Sequence, residues 1–154
     1  MFKSLKADSR TSAVEGMKRY LVILAALGTL SSAWARLGDT DDKIEDAYGK
    51  VIERHLLDNG TVSVLYGKDR YLYFVVFANG RSVLERYSHV NGTDLSQREI
   101  ARFLKVNAER ASWIADDTSR ERRFKRSDQK AEAIYLKGNK RPALIVRVLD
   151  KVTH

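Results

Sequence analysis

Alternation of apolar and polar positions predicts most of the chain's strands. TVSVLY at 61–66 and SVLERYS at 82–88 alternate as half-buried strands do, while YLYFVVFA at 71–78 is apolar on both faces. Gly67-Lys68-Asp69-Arg70 and Asn79-Gly80 lie between them as turns. These segments make a three-stranded antiparallel meander. A second is expected from roughly 121–126, 131–137 and 143–149, with turns at Ser127–Lys130 and Gly138–Pro142. Pro142, the only proline, suits a strand entry or an edge.

Helical spacing precedes each meander. Ile44, Ala47 and Tyr48 recur on one face; Thr40 is placed to accept an orphan amide, Asp41 and Asp42 suit the first turn, and Gly49 offers a stop. The spacing predicts a helix over Thr40–Tyr48. Lys50–Leu57 fits either a helical continuation or a strand. Ser96-Gln97-Arg98-Glu99 is a capping box, Leu95 with Ile100 a hydrophobic staple, and Ile100, Phe103 and Leu104 a core stripe running to about Ala108. Trp113 and Ile114 are expected to continue into the core. The expected fold is α+β: an antiparallel sheet of two three-stranded meanders, each preceded by a helix (α-βββ-α-βββ), with the helices on one face. Asn79-Gly80-Arg81 and Asn139-Lys140-Arg141, at equivalent turns, make a faint internal echo.

A different pattern opens the chain. Lys18 and Arg19 precede the apolar run Leu21–Leu30, and Ala33-Trp34-Ala35 puts small residues before Arg36. This reads as an export signal over 17–35, cleaved after Ala35. The run is shorter than the roughly 20 residues that span a bilayer. Residues 1–35 are therefore an N-terminal extension plus signal peptide, and 36–154 a single α+β domain, exported to the periplasm or beyond, with no membrane span once the signal is cleaved. With no cysteine, the domain has no disulfides, no lipidated thiol and no thiolate zinc. Of the formal charge of +8, residues 1–35 carry five basic and two acidic side chains, leaving 23 basic against 18 acidic in 36–154. A mildly basic surface permits anionic partners without demanding them.

Gly38-Asp39-Thr40-Asp41-Asp42-Lys43-Ile44 followed by Ala47-Tyr48-Gly49 resembles the signature opening the SmpA/OmlA-type proteins, small bacterial envelope proteins that include an outer-membrane assembly lipoprotein. Phe74–Arg81 is similar to that family's strand-then-turn segment. The doubled unit also resembles the secreted β-lactamase inhibitor proteins. The resemblance covers about residues 36–88. This sequence lacks the family's lipidated cysteine and has Lys50-Val51 where a proline usually follows. The resemblance implies an envelope interaction module, not an enzyme.

Two groups of residues are candidate sites. In 71–78, Leu72, Phe74, Val76 and Ala78 form one face and Tyr71, Tyr73, Val75 and Phe77 the other. With helices on one side only, the tyrosine face, extended by Tyr66 and Tyr87, would be an apolar docking patch for an envelope or secreted protein. Its alternative is a strand buried on both sides. Arg120, Arg122, Arg123, Lys125 and Arg126 form a basic segment that suits an anionic polymer, cell-surface or nucleic acid, though Glu121 interrupts it and alternation would divide it between faces. An acid-rich turn at Asp41, Asp42, Glu45 and Asp46 reads as a helix start rather than a cation cage. No catalytic set, metal site or cofactor is expected: His55, His89 and His154 lack ligand spacing, and no Walker loop, GxGxxG or Gly-x-Ser-x-Gly occurs. A small secreted hydrolase remains an alternative, whose mark would be a pocket bringing His55 or His89 against a carboxylate.

Overall fold

A computed structural model describes residues 35–117, 121–138 and 140–149, all within the unit Ala33–His154. The predicted signal up to Trp34 lies outside them. Helix α1 (Asp41–Tyr48) leads into strands β1 (Lys50–Leu56), β2 (Val62–Lys68), β3 (Tyr71–Ala78) and β4 (Arg81–His89). Helix α2 (Gln97–Val106) leads into β5 (Trp113–Asp117), β6 (Arg122–Arg126), β7 (Ala131–Leu136) and β8 (Ala143–Val148).

The strands form one eight-stranded antiparallel sheet in the order β1-β2-β3-β4-β8-β7-β6-β5. This corrects the expected α-βββ-α-βββ arrangement of two three-stranded meanders. Each helix is followed by four strands, and the two halves join through their last strands, with Leu84 opposite Arg147 and Arg86 opposite Ile145. The two extra strands are the sheet's edges. β1 is exposed at nearly every position, so it carries no alternation. β5 is only five residues long.

Local chemistry sets the connections. Gly49 ends α1 at φ +82° and turns the chain directly into β1; a Cβ there would lie 3.1 Å from the Gly67 carbonyl oxygen. Asn79 and Gly80 both take positive φ, the requirement of the tight turn joining β3 to β4. Thr40 occupies the N-cap of α1, but its hydroxyl makes no capping bond. The box at α2 is complete: Ser96 Oγ accepts from the Glu99 amide at 3.3 Å, and Glu99 Oε2 accepts from the Ser96 amide at 2.8 Å.

Burial alternates strictly along β3, with Tyr71, Tyr73, Val75 and Phe77 inward. Tyr48 of α1 stacks on Tyr73, and Phe103 of α2 stacks on Tyr87 with centroids 4.3 Å apart. Tyr73 and Tyr87 are cross-strand neighbours, so both helices lie against the same face of the sheet. Trp113 ties β5 to α2 by donating its indole N–H to the Leu104 carbonyl at 2.6 Å.

Candidate functional site

The tyrosine face is core, which corrects its reading as a docking patch. Tyr66, Tyr71, Tyr73, Phe77 and Tyr87 are all buried, none more than 6% exposed. Burial of Tyr66, Tyr71 and Tyr87 is tolerated because their hydroxyls find partners inside. Tyr66 donates to Asp41 Oδ1 at 2.5 Å, and Tyr71 to Glu99 Oε1 at 2.5 Å. Glu85, fully buried, accepts from Tyr48 at 2.7 Å, from Tyr87 and from Ser82 at 3.2 Å. Burial pushes its carboxyl above the ordinary value of 4.5, and the hydroxyl donors offset this only in part. Asn107 donates to the Tyr87 hydroxyl at 2.7 Å and accepts from the Leu37 amide at 2.8 Å. The Ala35 carbonyl lies 2.9 Å from the same Tyr48 hydroxyl, which shares its single proton between it and Glu85. This polar network fastens the start of the described chain to the core.

Strand alternation divides the basic segment. Arg120 lies outside the described residues. Arg122 sits over the Phe124 ring at 5.5 Å. Arg126, 4% exposed, is bound by Asp128 at 2.9 Å, Glu109 at 3.2 Å and the Asn107 carbonyl at 3.1 Å. Arg123 pairs with Glu121 at 2.7 Å. Arg123 and Lys125 point to the opposite side of the sheet from Phe124 and Arg126. The segment is therefore no single anion site, and Arg126 is a structural cation.

That opposite side, the open face, carries no helix among the described residues. Across it the register aligns Leu65, Phe74, Arg86, Ile145 and Ile134 in one row, and Val76, Leu84, Arg147 and Glu132 in the next. Leu72 extends the first of these toward the β2–β3 turn. The apolar members are partly exposed and form a continuous stripe over five strands, with exposed Arg123, Lys125, Arg147 and Asp116 beside it. Arg147 is paired with Glu132 at 2.6 Å. At one end is a cleft of about 430 Å³, floored by Leu65, Leu72 and Phe74 and rimmed by Arg86, Lys140 and Arg141. Arg86 Nη2 donates to the Arg141 carbonyl at 3.4 Å, while Arg86 Nε is buried and has no partner. Sequence reasoning assigned the two faces of β3 the wrong way round. Charge leans the right way: Arg86, Arg147, Glu132, Arg123 and Lys125 share the parity of Phe74, against Glu85, Arg122 and Arg126 on the side of Tyr73.

The histidines do meet carboxylates. His55 bonds Glu53 at 2.7 Å on the exposed edge strand. His89 Nε2 lies 3.0 Å from Glu99 Oε1 and its Nδ1 lies 2.8 Å from Thr93 Oγ1. Glu99 also accepts from Arg70 at 2.8 Å and from the Ser96 hydroxyl at 2.8 Å. Burial alone would raise its pKa, but the donors Tyr71, Ser96 and His89 outweigh it and hold the carboxylate well below the usual range. A carboxylate so fully engaged anchors the start of α2 as a fixed anion. Asp41, the first member of the acidic turn, is likewise engaged, by Arg54 at 2.6 Å. Among the described residues no cluster of three His, Asp or Glu side chains is placed to hold a metal.

One further basic surface escaped the sequence reading. Arg98, Arg102 and Lys105 recur along the outer side of α2 and, with Arg70, surround a depression of about 520 Å³. The i, i+4, i+7 spacing opposite the core stripe is the signal that marks it.

No protein-family model matches this chain, and no curated protein sequence matches it. Among solved structures, a cysteine-rich secretory protein from Staphylococcus aureus is similar at a TM-score of 0.43 and 10% identity, over 73% of this chain. The matched region is 44% of that protein, so this chain spans less than half its length.

Proposed function

We propose that this protein is an exported, non-catalytic interaction module of the bacterial cell envelope that binds another protein through the open face of its sheet. One observation carries the reading. Both helices of the described residues lie on one side of an eight-stranded sheet, and the other side presents a partly exposed stripe of Leu, Phe, Val and Ile across five strands. Contiguous apolar patches of that kind on a folded surface mark interaction sites. Export rests on the signal pattern of 17–35, and no helix among the described residues is long and apolar enough to cross a membrane. The SmpA/OmlA-type resemblance of Gly38–Gly49 points to the same compartment.

The experiment is site-specific photo-crosslinking in the producing cell. A photoreactive phenylalanine at Phe74 should trap one protein, and the same group at Ala101 on the outer side of α2 should not. The product should vanish when Leu84 and Ile145 are changed to serine. Equal trapping from both positions, or none from Phe74, contradicts the reading.

A second reading has its own observation: the four cations around the α2 depression, Arg70, Arg98, Arg102 and Lys105, would suit an anionic polymer. Binding that falls steeply with salt and is weakened by Arg98→Gln supports it.

A further inference from the structure

Resting on the open-face reading, we infer that the segment docking there is an acidic, apolar stretch of a partner protein, with one carboxylate seated on Arg86. Three observations converge. The stripe extends about 20 Å across five strands at the usual strand spacing, too far for a ligand confined to the cleft and suited to an extended run of side chains. Unmatched charge around the cleft is positive: Arg86, Lys140 and Arg141 have no carboxylate partner among the described residues, while the acids of this side lie away from it, Glu132 taken by Arg147 and Asp116 opposite Arg123 at the β5 edge. Arg86 is the only described side chain with a buried, unpartnered polar atom.

The third observation locates the carboxylate. A buried donor without an acceptor is costly, and such groups are rare in folded proteins. Arg86 stands between Phe74 and Ile145 on the floor of the face, beside the Leu65/Leu72/Phe74 cleft. Its Nη2 has only a long bond to the Arg141 carbonyl. Docking requires the outer side chain to rotate so that its Nε–Nη2 edge faces the cleft. An aspartate or glutamate there accepts two parallel N–H bonds, the arrangement in which arginine binds carboxylates best. The neighbouring aromatic or aliphatic residues of the segment fill the cleft, and Lys140 and Arg141 contribute charge at its rim. A basic segment would meet like charge at each of these positions.

The probes are two dye-labelled ten-residue peptides, one alternating Asp with Phe and one alternating Lys with Phe, titrated into the full chain by fluorescence anisotropy. Decanoate serves as a third, lipid-like anion. The acidic peptide should bind, the basic one should not, and added salt should weaken binding. Arg86→Gln should weaken the acidic peptide at least tenfold, Arg86→Lys should restore part of that loss, and Arg98→Gln on α2 should have no effect. Melting curves of the Arg86 variants should match the unsubstituted protein. Equal binding of both peptides, lost in Phe74→Thr, overturns the carboxylate inference and leaves the docking face standing. Binding insensitive to Phe74→Thr, or no binding of either peptide, overturns both. Decanoate bound through Arg86 without the acidic peptide overturns the inference in favour of an amphipathic small anion.

Discussion

Tyr48 on α1 and Tyr73 on β3 lie in parallel contact, their ring centroids 4.1 Å apart and their planes within 8°. That stack decides which side of the sheet is inside. It draws Tyr66, Tyr71 and Tyr87 under the helices, and it leaves Phe74, one residue further along β3, facing out. The interior is consequently rich in phenols, and phenols need acceptors. Glu85, Glu99 and Asp41 supply them.

Glu85 makes stability depend on pH. Its folded pKa is raised above 4.5, so the folded state binds its proton more tightly than the unfolded chain does. Its contribution is complete below 4.5 and is lost as pH rises through the raised folded value. Glu85→Gln removes this dependence. Melting curves from pH 4 to pH 8 should show the glutamine variant gaining on the unsubstituted protein as pH rises. A constant difference would show that Glu85 does not change protonation on folding.

Glu99 has the opposite sign. Its folded pKa is depressed below 4.5, so its stabilisation is complete above that value and is lost as pH falls toward the depressed one. Glu99→Gln should cost about 2 kcal/mol near neutral pH, in the range for hydrogen bonds to a charged group. Urea unfolding should show that difference shrinking below pH 4.5.

Arg126 belongs to the framework. Arg126→Met leaves Glu109, Asp128 and the Asn107 carbonyl without their cation and should cost about 3 kcal/mol by urea unfolding. Lys125→Met, on the exposed side of the same strand, should cost less than about 0.5 kcal/mol. Equal effects would return both residues to one surface site.

Cleavage after Ala35 would place a free ammonium on Arg36, whose amide already donates to Asp39 at 3.0 Å. Intact mass of the exported protein should begin at Arg36. Removing Asp39 by Asp39→Asn should then destabilise the processed form, because an ammonium–carboxylate pair is lost. A mass retaining Ala35 would leave its buried carbonyl bonded to Tyr48 and move the cleavage upstream.

Elements announced by their own residues were legible in the sequence. The Ser96–Glu99 box, the Asn79-Gly80 turn and the span of β3 follow from capping chemistry, positive φ and apolar content. The edges were not legible. β1 is solvated on both sides, and β5 is too short for a periodic signal. The site was half legible. Alternation separated Tyr73 from Phe74 correctly, but it carries no information about which set faces the helices. Tyrosine's polar tip suggested a surface, whereas Glu85, Glu99 and Asp41 provide the tips of Tyr87, Tyr71 and Tyr66 with partners inside. The parity of Arg86, Arg147 and Lys125 leans the right way, and it becomes readable only once the strand register is known.

The most direct measurement compares two neighbouring residues, Tyr73→Ala and Phe74→Thr, by urea unfolding and by photo-crosslinking yield from Leu84. The account predicts that Tyr73→Ala costs about 3–5 kcal/mol, as truncation of a buried ring does. It predicts that Phe74→Thr costs about 1 kcal/mol, keeps the fold and abolishes the crosslink. A stable Tyr73→Ala that loses its partner, beside an unfolded Phe74→Thr, would mean that the tyrosine side is the surface and would contradict the account.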